Sequence, residues 1–181
     1  MTLRDIGVQR PLEPLPQELL QQVRDDCSGV EWDYVIRHFR LDEEFIAAYA
    51  ECVDWWDIAY WQVLSEEFIA AWSGALSWVM VSMYQQLSEV FIATWAEQVN
   101  WQMICCAQYL SEEFMVTWSE QLDWRQVSQY QDLSEEFMLR YLDRLSLDLI
   151  KTRYPDFYMA HNLDVYQGLT QGEIYTLEED I

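Results

Sequence analysis

Hydrophobic and polar positions recur along residues 41–155 with a fixed period of 23 residues. Each period opens with leucine, a small polar residue, two mostly acidic positions and phenylalanine, as in the segment LSEEF that begins at Leu64. The five full copies begin at Leu41, Leu64, Leu87, Leu110 and Leu133. A short fixed period of this kind is typical of repeat proteins, in which each unit buries its apolar side against its neighbours.

Each repeat contains two positions at which side-chain chemistry predicts the start of a helix. In the repeat from residue 64, Ser65 is the first candidate N-cap, and Leu64 and Ile69 form a hydrophobic staple around it. Glu66 and Glu67 then lie in the first turn, where negative charge complements the helix dipole. A second start with the same staple recurs at Asp54, Ser77, Asn100, Asp123 and Ser146.

These starts alternate every 11 or 12 residues, which leaves helices of about two turns. Helices of this length are marginal alone, so stacking between repeats must hold them. Recurring aromatic residues supply a packing face: Phe45, Phe68, Phe91, Phe114 and Phe137 in the first helix, and Trp55, Trp78, Trp101 and Trp124 in the second. The sequence therefore predicts an all-α fold, a short α-solenoid of two-helix 23-residue repeats with degenerate terminal caps.

The repeat pattern fades towards both ends of the chain. Residues 1–14, with Pro11 and Pro14, are predicted to be an N-terminal arm. Residues 15–155 are the predicted array, with units 15–40, 41–63, 64–86, 87–109, 110–132 and 133–155, the first of which is a worn capping repeat. Residues 156–181 are predicted to be a C-terminal cap, a loop or short hairpin, and an acidic tail.

Acidic residues dominate the middle of the chain. The formal charge is -22, and residues 41–124 contain 14 acidic residues with no Lys, Arg or His. Such a surface repels phosphate, which argues against direct binding to nucleic acid or to an anionic membrane and favours a basic protein partner. The candidate acidic contacts are Glu43, Glu44, Glu66, Glu67, Glu89, Glu112 and Glu113.

Positions that vary between repeats are apolar in the N-terminal and central units. We define this apolar stripe by Trp56, Tyr60, Val79, Met80, Met83 and Met103, with Cys106 beside it. Stripes rich in Met and aromatic residues are typical of contact surfaces. Three interpretations stay open: the stripe is core in a tightly curled solenoid, it forms a homodimer with Met80 and Met83 near the centre, or it binds a different protein.

No residue pattern indicates catalysis, a metal site or a cofactor site. Adjacent glutamates on a helix point about 100° apart and do not converge on one cation. His38 and His161 lie outside the full repeats, and Cys105 and Cys106 have no neighbouring base. We interpret all four cysteines as small buried apolar side chains in a reducing compartment. With neither a signal peptide nor a membrane span in the sequence, we expect a cytoplasmic, non-enzymatic protein.

The cleanest repeat runs from Leu110 to Gln131 and reads LSEEF followed by DWxxVxxYQ. It resembles the short helical repeats of many bacteriophage and giant-virus proteins, and the likeness covers residues 41–155. The resemblance implies a helical repeat array in a viral or phage-related protein, and hence a place in the host cytoplasm. Those proteins share no common activity, so it implies no site residue. The chain departs from the pattern at Val90, which replaces the second glutamate.

Two functional hypotheses follow, one from the negative charge of the chain and one from its apolar stripe. In the first, the protein is an acidic decoy or inhibitor that occupies the basic nucleic-acid-binding surface of a host defence protein. Repeats stack about 10 Å apart while duplex phosphates supply a charge every 1.7 Å or so, so the imitation would be approximate. In the second, the protein is an assembly module that self-associates through the apolar stripe, and its acidity maintains solubility.

Overall fold

The structure, a computed structural model, describes residues 13–166. It confirms the all-α solenoid class, because these residues form consecutive pairs of short helices. The chain divides into two compact units, residues 1–108 and residues 109–181.

The first unit contains eight α-helices among its described residues. They are α1 (Gln17–Asp25), α2 (Trp32–His38), α3 (Glu43–Ala48), α4 (Trp55–Trp61), α5 (Glu66–Ala71), α6 (Trp78–Tyr84), α7 (Glu89–Thr94) and α8 (Trp101–Ala107). A 3-10 turn, Cys27–Gly29, separates α1 from α2. Second helices of consecutive repeats pack against each other, α2 on α4, α4 on α6 and α6 on α8.

The second unit continues the same helix pairs. Its described helices are α9 (Glu112–Thr117), α10 (Trp124–Tyr130), α11 (Glu135–Arg140), α12 (Leu147–Arg153) and α13 (Pro155–Ala160), followed by a 3-10 turn, Leu163–Tyr166. Here α10 packs on α12, and α12 packs on α13. Within residues 13–166 the protein has no helix of the length and apolarity needed to cross a membrane.

The helices begin at the residues that the capping pattern predicts. In the five full repeats, the first helix has a side-chain N-cap that accepts a hydrogen bond from the amide three residues later, at Asp42, Ser65, Ser88, Ser111 and Ser134. The second helices are capped in the same manner by Asp54, Asn100 and Asp123. Ser77 and Ser146 occupy the predicted cap positions, but their side chains make no capping hydrogen bond.

Aromatic side chains fill the space between consecutive repeats. The ring of Trp78, which begins α6, lies 6.3 Å from Phe91 and 5.2 Å from Trp95 in the next repeat. Its indole N–H donates to the carbonyl oxygen of Ser73 at 3.2 Å. The tryptophans that open the second helices therefore join adjacent repeats while their polar N–H group keeps a partner.

Buried glutamines form the polar link between repeats. Gln85 is 3% exposed, and its Nε2 donates to the carbonyl oxygens of Ala59 (2.7 Å) and Gln62 (2.8 Å) in the preceding repeat. Its Oε1 accepts from the amide of Leu64 at 2.9 Å. Equivalent bonds are made in the first unit by Gln62 and Gln108. This glutamine ladder satisfies backbone groups that helix ends leave free.

The last repeat lacks the glutamine and replaces it with two side chains. Arg153 donates through Nη1 to the carbonyl oxygens of Ser128 (3.1 Å) and Gln131 (2.6 Å). The hydroxyl of Tyr154 accepts from the amide of Leu133 at 3.0 Å. Together these two residues bind the backbone groups that a glutamine binds in the other repeats. The last full repeat therefore makes the same backbone hydrogen bonds through different side chains.

The chain outside the full repeats differs in detail from the prediction. Glu13–Pro14, at the end of the predicted arm, is a two-residue strand that pairs in parallel with Phe39–Arg40. The predicted C-terminal cap contains α13 and the 3-10 turn. Residues 1–12 of the arm and residues 167–181, which include the acidic end, lie outside the described residues.

Candidate protein-binding surface

The first glutamate of three acidic pairs, Glu43, Glu66 and Glu112, bridges to the next repeat. Glu66 accepts from the amide of Ser88 through Oε1 and from its hydroxyl through Oε2, the latter at 3.1 Å. Glu43 makes the same two bonds to Ser65, at 2.6 and 3.1 Å. In the second unit, Glu112 makes them to Ser134. These carboxylates satisfy the N-terminus of the following helix, so their regular spacing has a structural cause.

The second glutamate of each pair points outward. Glu44 and Glu67 in the first unit, and Glu113 in the second, are exposed. Their carboxylates make no hydrogen bond or ion pair within residues 13–166. At the corresponding position of the third full repeat stands Val90, which is 78% exposed. We call Glu44, Glu67 and Glu113 the outward carboxylates.

Most of the other acidic residues between 41 and 124 have a structural role. Asp42, Asp54 and Asp123 are N-caps, and Glu120 pairs with Arg144 at 2.7 Å. With the bridging glutamates and a buried Asp57, at least eight of the 14 acids between residues 41 and 124 have a local structural partner. The net charge therefore overstates the charge that is free for a partner.

Asp57 is the buried carboxylate of this segment, at 4% exposure. Its Oδ2 lies 3.3 Å from Nη2 of Arg37, which also pairs with Asp33 at 3.2 Å. Burial raises the pKa of Asp57, the hydrogen bond with Asp33 raises it further, and Arg37 opposes both effects. Asp57 is consequently a buried carboxylate with local partners rather than part of an open acidic surface.

The apolar stripe is only partly exposed. Trp56 is 51% exposed and Val79 is 45% exposed, whereas Tyr60 is half-buried between Trp56 (ring centroids 5.6 Å apart) and Tyr84 (4.4 Å). Met80 has only 7% exposure. The interpretation that placed Met80 at the centre of a contact surface is therefore wrong for that residue, because helix packing turns it into the core.

The remaining members of the stripe divide in the same way. Met83 and Met103 are half-buried, and Cys106 is 2% exposed. The stripe thus mixes core and surface residues, since it contains different positions of the second helix: the position of Trp56 and Val79 faces outward, whereas that of Met80 faces the core. What remains on the surface of the first unit is a smaller patch around Trp56 and Val79.

The histidines of the described residues are not part of a metal-ligand cluster. Within residues 13–166 no three His, Cys, Asp or Glu side chains converge as metal ligands would. The ring of His38 stacks on Tyr34 at 4.2 Å, and His161 lies 3.2 Å from Glu135, so both histidines have local contacts.

Comparison of the chain with protein-family models, with curated proteins and with solved structures finds no match.

Proposed function

We propose that this chain is a non-enzymatic interaction protein whose outward carboxylates bind a basic partner. The observation that carries the proposal is the contrast between adjacent glutamates. Glu66 is bound to the next repeat, whereas Glu67 is exposed and without a hydrogen bond or ion pair within residues 13–166. The fold accounts for the first acid of the pair and leaves the second for another role.

Regular spacing makes the outward charges act together. Glu44 and Glu67 occupy equivalent positions of consecutive repeats, and packed helix axes lie about 8–10 Å apart. This is close to the Debye length of about 8 Å at physiological ionic strength, so the potentials of neighbouring carboxylates overlap. Residues 41–124 contain no Lys, Arg or His that could offset these negative charges.

A basic nucleic-acid-binding surface is the partner class that suits such a row. Those surfaces carry clustered Lys and Arg that track a line of phosphates, and electrostatic attraction dominates their affinity. A row of carboxylates would compete for them and keep nucleic acid away. The resemblance to phage and giant-virus repeats supports a host defence protein as the target and an inhibitory or decoy role in the host cytoplasm.

Capture from a host lysate tests this proposal. The immobilised full chain is incubated with lysate at low salt, and bound proteins are released either by about 0.5 M salt or by a DNA duplex. We expect both treatments to release the same basic, nucleic-acid-binding proteins. A bound set that resists both treatments would contradict the proposal, as would a set with no nucleic-acid-binding member.

Self-association through the surface patch is a second candidate function. The exposed indole of Trp56 and the exposed Val79 lie at equivalent positions of consecutive repeats in the first unit. Light scattering decides it, because a homodimer would have twice the monomer mass and Trp56→Glu with Val79→Glu would halve that mass without loss of helical circular dichroism. A monomeric parent protein would exclude this candidate.

A further inference from the structure

Two half-buried cysteines face each other where the capping unit meets the first full repeat. The Sγ atoms of Cys27 and Cys52 lie 2.8 Å apart, and both residues are free thiols. The expectation that all four cysteines are buried is correct for Cys105 and Cys106 and wrong for this pair. Both partly exposed thiols are therefore within reach of small reagents.

The two turns that carry these thiols are held in place by their surroundings. The Asp26 carboxylate caps the 3-10 turn of Cys27, and the indole N–H of Trp32 donates to the Cys27 carbonyl oxygen at 3.0 Å. The ring of Trp32 packs on Tyr49 at 5.6 Å. The carbonyl oxygen of Tyr49 in turn accepts from the amide of Cys52 at 2.9 Å. One aromatic contact thus fixes the two turns relative to each other.

We propose that Cys27 and Cys52 are a reversible disulfide site that covalently joins the capping unit, residues 15–40, to the first full repeat. Disulfide formation requires sulfur atoms that can approach to about 2.05 Å without distortion of the backbone. The thiols are already in contact, and neither lies inside an α-helix: Cys27 begins the 3-10 turn and Cys52 lies in a loop turn. In a reducing compartment such a pair is a redox-sensitive element rather than a permanent crosslink.

The oxidant is a small disulfide such as oxidised glutathione. One protein thiolate attacks a sulfur of the small disulfide, which gives a mixed disulfide and releases one small thiolate. The second protein thiolate displaces the other small thiolate, and the internal S–S bond forms. Two protein thiols are oxidised and one small disulfide is reduced to two thiols, whose protons come from the protein thiols.

The surroundings of Cys52 favour Cys27 for the first attack. The hydrogen bond with Cys27 raises the pKa of Cys52, and partial burial and the negative charges of Cys27 and Glu51 act in the same direction. When Cys27 enters a mixed disulfide, that hydrogen bond and that charge disappear. Cys52 is then released to act as the second thiolate.

Oxidation of the full chain in glutathione redox buffers tests the proposal. Remaining thiols are alkylated and mapped by peptide mass, and the melting temperature is measured before and after oxidation. We expect Cys27 and Cys52 to be lost together, without glutathione mass, while Cys105 and Cys106 stay reduced. The bridge restricts the unfolded chain, so the melting temperature should rise by about 5 °C and return after reduction.

Single and paired variants make the result specific. Cys27→Ser and Cys52→Ser each leave one thiol of the pair, which should accumulate a glutathione adduct and show no rise in melting temperature. The double variant Cys105→Ala with Cys106→Ala should still form the Cys27–Cys52 disulfide, because the buried cysteines take no part in it. A lower stability of its core does not alter this expectation. Stable glutathione adducts on the parent protein, covalent dimers as the main product, or a lower melting temperature after oxidation would overturn the proposal.

Discussion

A recurring polar link joins successive repeats on their buried side, and another joins them on their exposed side, but the two links differ in what surrounds them. Gln85 makes its three hydrogen bonds in the core, where no water can replace them. Glu66 makes its two bonds to Ser88 at an exposed site. A periodic polar residue can therefore be structural on either side, and only one without a partner among the described residues, such as Glu67, indicates another role.

The largest effect should come from the buried link. Gln85→Leu leaves two carbonyl oxygens and the amide of Leu64 without partners, which should cost about 3–5 kcal/mol of unfolding free energy. Urea denaturation followed by circular dichroism measures it. The neighbouring Gln86 is exposed, so Gln86→Leu is the matched control and should change stability by less than about 0.5 kcal/mol. Equal effects at both positions would show that the ladder contributes no stability.

Loss of an aromatic contact between repeats should have the next largest effect on stability. Trp78→Ala removes a half-buried indole that packs on Phe91 and Trp95, and we expect a loss of about 2–4 kcal/mol. Trp56→Ala removes an indole that is 51% exposed, and it should cost about 1 kcal/mol or less. Denaturation midpoints of the two variants provide the test, and the ranking fails if Trp56→Ala is the more destabilising change.

The exposed links should have a smaller effect. Glu66→Gln removes the charge from the bridge to Ser88 and should cost about 1 kcal/mol. Glu67→Gln removes the same charge from the next residue and should change stability by less than about 0.3 kcal/mol. Both variants lower the net charge equally, so thermal unfolding of the pair separates bonding from general repulsion. Identical stabilities would remove the distinction between bridging and outward glutamates.

The smallest effect on the unfolding free energy is expected from Asp57, and this effect depends on pH. Its pKa is raised on folding, so the ionised form opposes folding above that pKa, and the opposition disappears once the pH falls below the ordinary value for aspartate. Asp57→Asn should therefore be more stable than the parent at pH 7, with the difference vanishing towards pH 3 or so. Unfolding free energies of both proteins across this range test the sign, and a difference that grows on acidification would contradict it.

The fold followed from the sequence because its determinants are local. Ser65 and Asp54 cap their own helices, and the staple residues lie within five positions of them. The roles of Glu66 and Glu67 could not be separated in this way, since the partner of Glu66 is Ser88, in the next repeat. Met80 was misplaced for the same reason, because the side that a short helix buries depends on its neighbours.

Two other features were missed for different reasons. Gln85 belongs to a glutamine that recurs in every full repeat except the last, and an invariant polar residue among apolar ones was a usable signal for a buried link. The contact of Cys27 with Cys52 gave no such signal. The capping unit is longer than the other repeats, so the period does not align the two cysteines.

The proposed function depends on the outward carboxylates, rather than on the net charge of the chain, to bind the basic partner. Two variants each remove two charges from the first unit: Glu44→Gln with Glu67→Gln, and Asp42→Asn with Asp54→Asn, in which asparagine preserves the N-caps. Their affinities for a short lysine-rich peptide are compared by titration calorimetry at low salt. We expect about fivefold weaker binding for the glutamate variant and little change for the aspartate variant. Equal weakening by both variants would contradict it.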